Sequence, residues 1–407
     1  MKYHLITFGC QMNYSDGERI SSYLEGKGYL SSSQEEADLI VVSACSVRQS
    51  AIDRIFGLEK KFKEKRVKTI LTGCVLKKDS EKLKRFFDYV LNIKDLPNWL
   101  EIINRKPIID KEYLQITPLY SSLYTASVPI MTGCNNFCSY CAVPYVRGRE
   151  TSRSVEDILK EIETLSKKGT KEIWLLGQNV NSYSPIPFSD LLRKIDKVEG
   201  DFWIRFTSSH PKDLSDALIL AMKECNKITP YLHFPIQSGD DGVLKRMNRP
   251  YTVKKYLNIL KKIKKTIPGI FISTDAIVGF PGETEKEFRN TIKVFKKAKY
   301  DMGYINQFSP RPQTVAFQME DNVSNEDKHN RDKILTDILR KTSLKNNKKL
   351  LGKIKEVLID KQDGDYLFGK TKDYRNVKIK SKDNLVGQIV KVKLIKAFPF
   401  KFEGELI

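Results

Sequence analysis

The sequence predicts an α/β protein in three parts: an N-terminal domain with an open parallel sheet, a central partial (β/α)6 barrel and a small C-terminal all-β barrel. Two patterns carry this reading. Apolar strand-like runs alternate with helix-like stretches up to about residue 308, and that order builds parallel sheets with right-handed crossovers. From residue 353 the apolar period becomes two, as at Val377 and Ile379 or Val390, Val392 and Leu394, the mark of half-buried strands. A chain of 407 residues has room for two to three domains at about 150 residues each.

The first domain is expected at 1–118. Residues 4–8 read as a buried strand. A helix follows near 16–25, with Ile20, Tyr23 and Leu24 on one face and Gly26 and Gly28 able to end it. A second strand reads at 39–42, a helix at 47–65 and a third strand at 69–72. Cys10, Cys45 and Cys74 each lie just past the carboxyl end of one of these strands. In an open parallel sheet those ends share one edge, where ligands bind.

A Pro- and Tyr-containing linker at 116–125 leads to the second domain, 119–344. Strands are expected at 128–131, 173–176, 203–207, 231–236, 270–278 and 303–308, with helices between. The helix at 155–167 starts from Ser154 as N-cap, with Asp157 three residues on. Six βα units are too few for an eight-unit barrel, so the barrel is open, with its site in the loops at the strand carboxyl ends. A polar, helix-forming stretch at 324–350 leads into the third domain, 345–407. There, five short strands in about 60 residues suggest an oligonucleotide-binding style of barrel, and 16 Lys and Arg against 8 Asp and Glu make it locally basic.

Composition narrows the function. With 40% hydrophobic and 30% charged residues, the chain is neither mostly disordered nor collagen-like. A net charge of +21 suggests a polyanionic partner, nucleic acid or an anionic membrane; Lys-rich codon usage would give the same surplus. The N-terminus MKYHLITFGC holds no apolar leader, and no run approaches about 18 apolar residues. The expected setting is cytoplasmic and reducing, where clustered cysteines bind metal or do chemistry. Seven cysteines, an odd number, fit no complete disulfide framework.

The strongest chemical signal is GCNNFCSYC, placing Cys134, Cys138 and Cys141 at C-x3-C-x2-C spacing with Tyr140 before the last. Three nearby thiolates suit an iron–sulfur cluster. A four-iron cluster with three Cys ligands leaves one iron open, as catalytic metals require. There the amino and carboxylate groups of S-adenosylmethionine could chelate, and one electron would release a 5′-deoxyadenosyl radical. The alternative is zinc, which wants four closed ligands; here three cysteines are local and the next His is His210. Cys225 shares a helical face with Leu214, Ala217, Leu218, Ala221 and Met222 and reads as core.

This cysteine spacing resembles the radical S-adenosylmethionine superfamily. GCQMNYSDGE, SACSVRQSA and TGCV, then GCNNFCSYCAVPYVRGRE, LLGQNVNSY, SSHP, YLHFPIQSG and IVGFPGET, resemble in order the motifs of its tRNA methylthiotransferase branch. The terminal strands, with GKT and LVGQIVKV, resemble a TRAM domain, an RNA-binding barrel. GCQMN and CNNFCSYC resemble the MiaB type, which adds a methylthio group to carbon 2 of isopentenyladenosine at tRNA position 37. The chain departs from the branch at Ser43-Ala44, where Asn-Thr is usual, and at Leu76-Lys77, where Ala-Gln is usual; both leave the cysteines in place.

The resemblance implies two [4Fe-4S] clusters. Cys134, Cys138 and Cys141 would hold the radical-generating one, and Cys10, Cys45 and Cys74 an auxiliary one. S-adenosyl-L-methionine would be bound by Tyr140 at the adenine, by Gly177, Gln178, Gln237 and Gly279 at strand ends, with Ser238 beside them, and by Arg205 at the carboxylate. Arg147, Arg149 and Arg153 would hold tRNA phosphates, or form a solvated face with loop ion pairs. Tyr366, Phe368 and Tyr374 would stack on unpaired bases, or fill the terminal core. The implied partners are tRNA and proteins donating electrons and sulfur, with no membrane. Two other readings fit the motifs in part: methylthiolation of threonylcarbamoyl-adenosine, and a non-catalytic iron–sulfur RNA-binding protein.

Overall fold

The protein is described by a computed structural model over residues 1–46, 49–58 and 67–407. In the first domain β1 (Lys2–Thr7), β2 (Leu30–Ser31), β3 (Leu39–Cys45), β4 (Lys68–Cys74) and β5 (Tyr89–Val90) form one parallel sheet in the order β2-β1-β3-β4-β5. Every residue of β3 is buried, because both faces are covered, so LIVVSAC runs apolar without alternating. On one face Ile20, Tyr23 and Leu24 of α1 (Gln11–Gly26) pack with Tyr3, Leu39, Val41 and Ile70. On the other, Ile52 and Ile55 of α2 (Gln49–Phe56) pack with Ile40, Val42 and Leu71. The helix expected at 47–65 is thus seen as α2; positions 47–48 and 59–65 lie outside the described residues. Two further helices follow, α3 (Lys77–Leu83) and the short α4 (Trp99–Ile103).

The second domain begins with β6 (Thr125–Pro129) and a small antiparallel pair, β7 (Met131–Thr132) with β8 (Thr151–Ser152). Between the two pair strands runs α5 (Val143–Arg147), and α6 (Val155–Lys167) follows. Ser154 caps α6 by accepting from Asp157 N. Then come β9 (Glu172–Leu176), α7 (Phe188–Asp196), β10 (Trp203–Phe206), α8 (Asp216–Glu224) and β11 (Tyr231–His233). α9 (Asp241–Arg246), α10 (Val253–Thr266), β12 (Phe271–Val278), α11 (Glu285–Ala298) and β13 (Met302–Gln307) complete the series. The strands form two parallel three-stranded sheets, β6-β9-β10 and β11-β12-β13. A parallel bridge between Ile204 and Ile228 links them. Six parallel strands in chain order make the open barrel that the sequence predicts. Its outer face joins Ile173, Leu175, Ile204 and Ile272 to helix residues such as Ile158, Leu191, Leu218 and Phe295 in one core.

A single helix, α12 (Asn325–Lys348), crosses the expected boundary at 344 and leads to the terminal barrel. There β14 (Ile354–Asp363), β15 (Tyr366–Thr371), β16 (Asn376–Lys380), β17 (Ile389–Phe398) and β18 (Lys401–Leu406) close in the order β14-β15-β16-β18-β17. Val357, Ile359, Leu367, Ile379, Leu394 and Phe402 fill it. Closure removes the sheet edges that an open five-strand sheet would expose.

The three parts meet in the central barrel. The strand face opposite the helices carries Trp174, Arg205, Tyr231 and Phe271. Met12 of α1 packs into this group from the first domain, and Tyr374 from the terminal barrel. The Tyr374 ring lies 4.5 Å from Tyr231 and 5.2 Å from Trp174. Among the described residues no helix is long and apolar enough to cross a membrane.

Candidate functional site: two cysteine triads at strand ends

In the first domain the β3–β4 register sets Cys45 opposite Cys74, and Ser46 N donates to Cys74 O at 2.7 Å. Cys10 stands at the N-cap of α1 in extended conformation. Gly9, at φ +141°, passes so close that a Cβ there would lie 3.0 Å from the Cys45 Cβ and 2.6 Å from Asn13 Oδ1; only glycine lets these loops approach. Asn13 touches Cys10, Cys74 and the residue before Cys45. Its Oδ1 accepts from Cys10 Sγ at 3.4 Å, its Nδ2 donates to Ala44 O at 3.0 Å, and the same Nδ2 is 4.0 Å from Cys74 Sγ. Cys45 and Cys74 are buried and Cys10 is exposed, so the triad is reachable from solvent at one corner. Burial pushes the Cys74 thiol up to about 12, against the pull of the Arg147 guanidinium.

In the second domain the loop after β7 carries Cys134, Cys138 and Cys141 and is fastened at several points. Gly133 N donates to Gln178 Oε1 at 2.6 Å, Cys134 N to Gly148 O at 3.1 Å, Cys141 N to Cys138 O at 2.9 Å and Ser139 N to Met247 O at 3.0 Å. Arg249, buried, places Nη1 3.7 Å from Cys138 Sγ while Nε donates to Tyr251 OH at 2.8 Å and Nη2 to Pro235 O at 3.0 Å. Burial raises the Cys134 thiol, and pushes Cys141 up to about 12. Among the described residues no three His, Cys, Asp or Glu converge as ligands of a single ion would. Cluster thiolates each hold a different iron and stand further apart. Each of the two sets of three thiols is held by backbone and amide hydrogen bonds, and three thiols are the donor type that iron–sulfur clusters take.

The other expected site residues divide. Tyr140 is partly buried against the core of Val243, Met247, Phe280 and Phe308. Gly177 packs closely, since a Cβ there would come within 2.6 Å of Met131 Cγ and push that side chain aside. Gln178 holds the start of the cluster loop, as above. Gln237 sits at φ +68° with its backbone paired to Asp275 O and Ile277 N at 2.9 Å each. Ser238 is buried, and its hydroxyl accepts from Asp240 N at 3.3 Å. Gly279, at φ +67°, turns the chain beneath Lys328, and its N donates to Glu283 Oε2 at 2.7 Å. Cys225 is buried at the end of α8, in the central core.

Four expectations are corrected. Arg205 is 1% exposed and fully engaged below the strand ends: Nε pairs with Glu172 Oε1 at 2.6 Å, Nη1 donates to Thr229 Oγ1 and Lys372 O, and Nη2 to Thr371 O. It has no free fork for a ligand carboxylate. Arg147 is 3% exposed and Arg153 8%, so neither is presented to RNA phosphates. Arg147 binds Asp16 and Cys74; Arg153 pairs with Glu161 at 2.6 Å and donates to Pro129 O. Tyr374, an expected base-stacking residue, is committed to Trp174 and Tyr231. Arg149 is exposed, with its guanidinium 4.3 Å above the Phe137 ring. Tyr366 and Phe368 lie on the outer side of the terminal barrel, beneath Lys378 and Lys361 respectively. Sequence reasoning missed Asn13, Asp16 and Arg249. Asn13 and Asp16 sit inside the quoted GCQMNYSDGE motif; nothing local marks Arg249, more than a hundred residues from Cys138.

Comparison with known proteins agrees with this architecture. Residues 128–295 match the model of the Radical SAM superfamily, and residues 2–93 that of Uncharacterized protein family UPF0004. A solved radical S-adenosylmethionine methyltransferase, TsrM from Kitasatospora setae, superposes with a TM-score of 0.59 over 77% of this chain and 73% of its own at 13% identity, a likeness of fold. The tRNA-2-methylthio-N(6)-dimethylallyladenosine synthase of Clostridium perfringens (strain SM101 / Type A) is 41% identical over 98% of this chain and 96% of its own. That of Caldicellulosiruptor saccharolyticus is 41% identical over 100% of this chain and 92% of its own. Identity at that level, sustained from the first sheet through the terminal barrel, means that this chain belongs to the radical SAM family of tRNA-2-methylthio-N(6)-dimethylallyladenosine synthases.

Proposed function

We propose that this chain transfers a methylthio group to carbon 2 of isopentenyladenosine at tRNA position 37. The observation that carries this reading is full-length similarity to synthases named for that product, in a chain whose two cysteine triads both lie at strand carboxyl ends. The Cys134, Cys138 and Cys141 loop would hold a [4Fe-4S] cluster with S-adenosylmethionine, and that pair would supply radical chemistry for the transfer. Gln178 and Arg249 hold that loop. Tyr140, Gly177, Gln237 and Gly279 line the approach for the nucleoside half of S-adenosylmethionine. Cys10, Cys45 and Cys74 would hold the auxiliary cluster, which would supply the sulfur for the base.

The domains divide the work, with the auxiliary site in 1–118, the radical site in 119–344 and RNA contacts in 345–407. Arg149 and Tyr366, both exposed, and the half-buried Phe368 are suited to RNA. Separate proteins of the cytoplasm donate the electrons and the sulfur.

Mass spectrometry of tRNA nucleosides from cells with and without the chain tests the substrate. Loss of the methylthio form of isopentenyladenosine supports the proposal; loss of the threonylcarbamoyl form overturns it. Iron and sulfide counts test the clusters: fewer than about six irons per reconstituted chain counts against two four-iron clusters.

A further inference from the structure

Arg147 reaches from the radical-site loop to the other triad, beside Val146, which packs against Cys45 and Cys74. It ends α5, just after Cys141, and the next residue, Gly148, accepts the Cys134 N–H at 3.1 Å. Its backbone therefore belongs to the loop of the first triad. Its guanidinium lies in the first domain. Nε donates to Cys74 Sγ at 2.9 Å, Nη2 to Asp16 Oδ2 at 2.6 Å and Nη1 to Tyr113 OH at 3.4 Å. Asp16 is fully buried on α1, the helix that Cys10 caps. The fork is thus held on one side by the helix of Cys10 and aimed on the other at the sulfur of Cys74.

A planar guanidinium is always charged and presents its donors in fixed directions. An N–H donated to a ligating thiolate draws electron density from the sulfur. It favours the reduced state of an iron–sulfur cluster, whose potential follows net charge and hydrogen bonds to sulfur. Here Asp16 cancels most of the charge, so the directed N–H to sulfur is what remains.

We propose that Arg147 is a positioning residue for the auxiliary cluster. It fixes the Cys74 ligand, raises the reduction potential of that cluster, and ties both effects to the loop that bears Cys134, Cys138 and Cys141. This rests on the reading above that Cys10, Cys45 and Cys74 hold a cluster.

The test uses the full chain carrying Cys134→Ala, Cys138→Ala and Cys141→Ala, reconstituted with iron and sulfide, so that only the auxiliary cluster can contribute. To this are added Arg147→Lys, which keeps a cation for Asp16 but cannot fork onto Cys74, and separately the neutral pair Arg147→Met with Asp16→Asn, which leaves no buried charge unpaired. Redox titration followed by electron paramagnetic resonance reads the one-electron midpoint. At the parent's midpoint the reduced-to-oxidised ratio is expected to fall about tenfold in both variants, a shift of about 59 mV to more negative potential. Loss of iron from a variant that keeps the parent's melting temperature supports the proposal equally, because the ligand is no longer held. An unmoved midpoint with full iron in both variants overturns it. A parent that binds no iron overturns the two-cluster reading, and this inference with it.

Discussion

His210, in the SSHP motif, shows how much a single side chain can carry. It is 5% exposed, and its Nδ1 accepts from Lys212 N at 3.2 Å. The proton of the neutral ring is therefore on Nε2, which is buried and has no partner. Burial first, then the positive charges of Arg249 and Lys212, depress its pKa from 6.5 to about 2. An unfolded chain takes up this proton near pH 6.5 and the folded chain does not, so between those values stability falls as pH is lowered. His210→Asn keeps an acceptor for Lys212 and removes the titration. Its loss of stability between pH 7 and pH 5 should be smaller than the parent's by about 2 kcal/mol, measured by urea unfolding at each pH; parallel losses would refute the assignment. Gly73 carries a different constraint. At φ +98° it presses on the Ala44 backbone, where a Cβ would lie 2.8 Å from Ala44 N. Gly73→Ala should cost about 3 kcal/mol and lower iron bound per chain, since Cys74 is the next residue. The six cysteines were legible at this scale because spacing and strand-end position are local properties. The arginines were not. RGRETSR reads as one basic cluster, and no local pattern tells that Arg147 meets an aspartate 131 residues away.

At the scale of elements, the buried strands announced themselves through apolar runs and the terminal strands through alternation, and both are found where that pattern placed them. Short elements were hidden. α5 spans five residues of VPYVR, too few to show a helical period, yet it delivers Arg147 to the first domain. The break between β10 and β11, bridged by Ile204 and Ile228, is likewise a matter of tertiary closure that no strand's own pattern encodes. The helix start at Ser154 was legible; the one at Thr284 lay unmarked inside IVGFPGET. Thr284 and Glu287 form a reciprocal capping box at α11, each side chain bonding the other's backbone N–H. Glu287 also receives Arg246 of α9 at 2.9 and 3.1 Å. Thr284→Ala should lower stability by about 1 kcal/mol and Thr284→Ser by much less, in urea unfolding of the full chain. If Glu287→Gln proves as costly as both changes together, cap and ion pair form one unit.

At the scale of the whole molecule, the question is what locks the terminal barrel to the central one. Sequence patterns separated the two but could not reveal the lock, because its members come from distant turns and strand starts. The turn after β15 inserts Tyr374 among Trp174, Tyr231 and Phe271. Beside it, Arg205 donates to the carbonyls of Thr371 and Lys372 while paired to buried Glu172. Arg375 adds ion pairs to Asp373 at 2.9 Å and Asp301 at 3.2 Å. Breaking a buried pair by removing one partner leaves the other charge stranded, at about 3–5 kcal/mol, and here it also takes the Arg205 donor from the Lys372 carbonyl. Arg205→Ala should therefore lower the melting temperature and speed hydrogen exchange at 371–375. Because Arg205 bonds Glu172, Thr229, Thr371 and Lys372 and neither cysteine loop, iron content and S-adenosylmethionine affinity should stay at the parent's level. The opposite result, normal stability with weakened S-adenosylmethionine binding, would restore Arg205 to the ligand carboxylate that the sequence first suggested and show that the terminal barrel is held by Tyr374 and Arg375 instead.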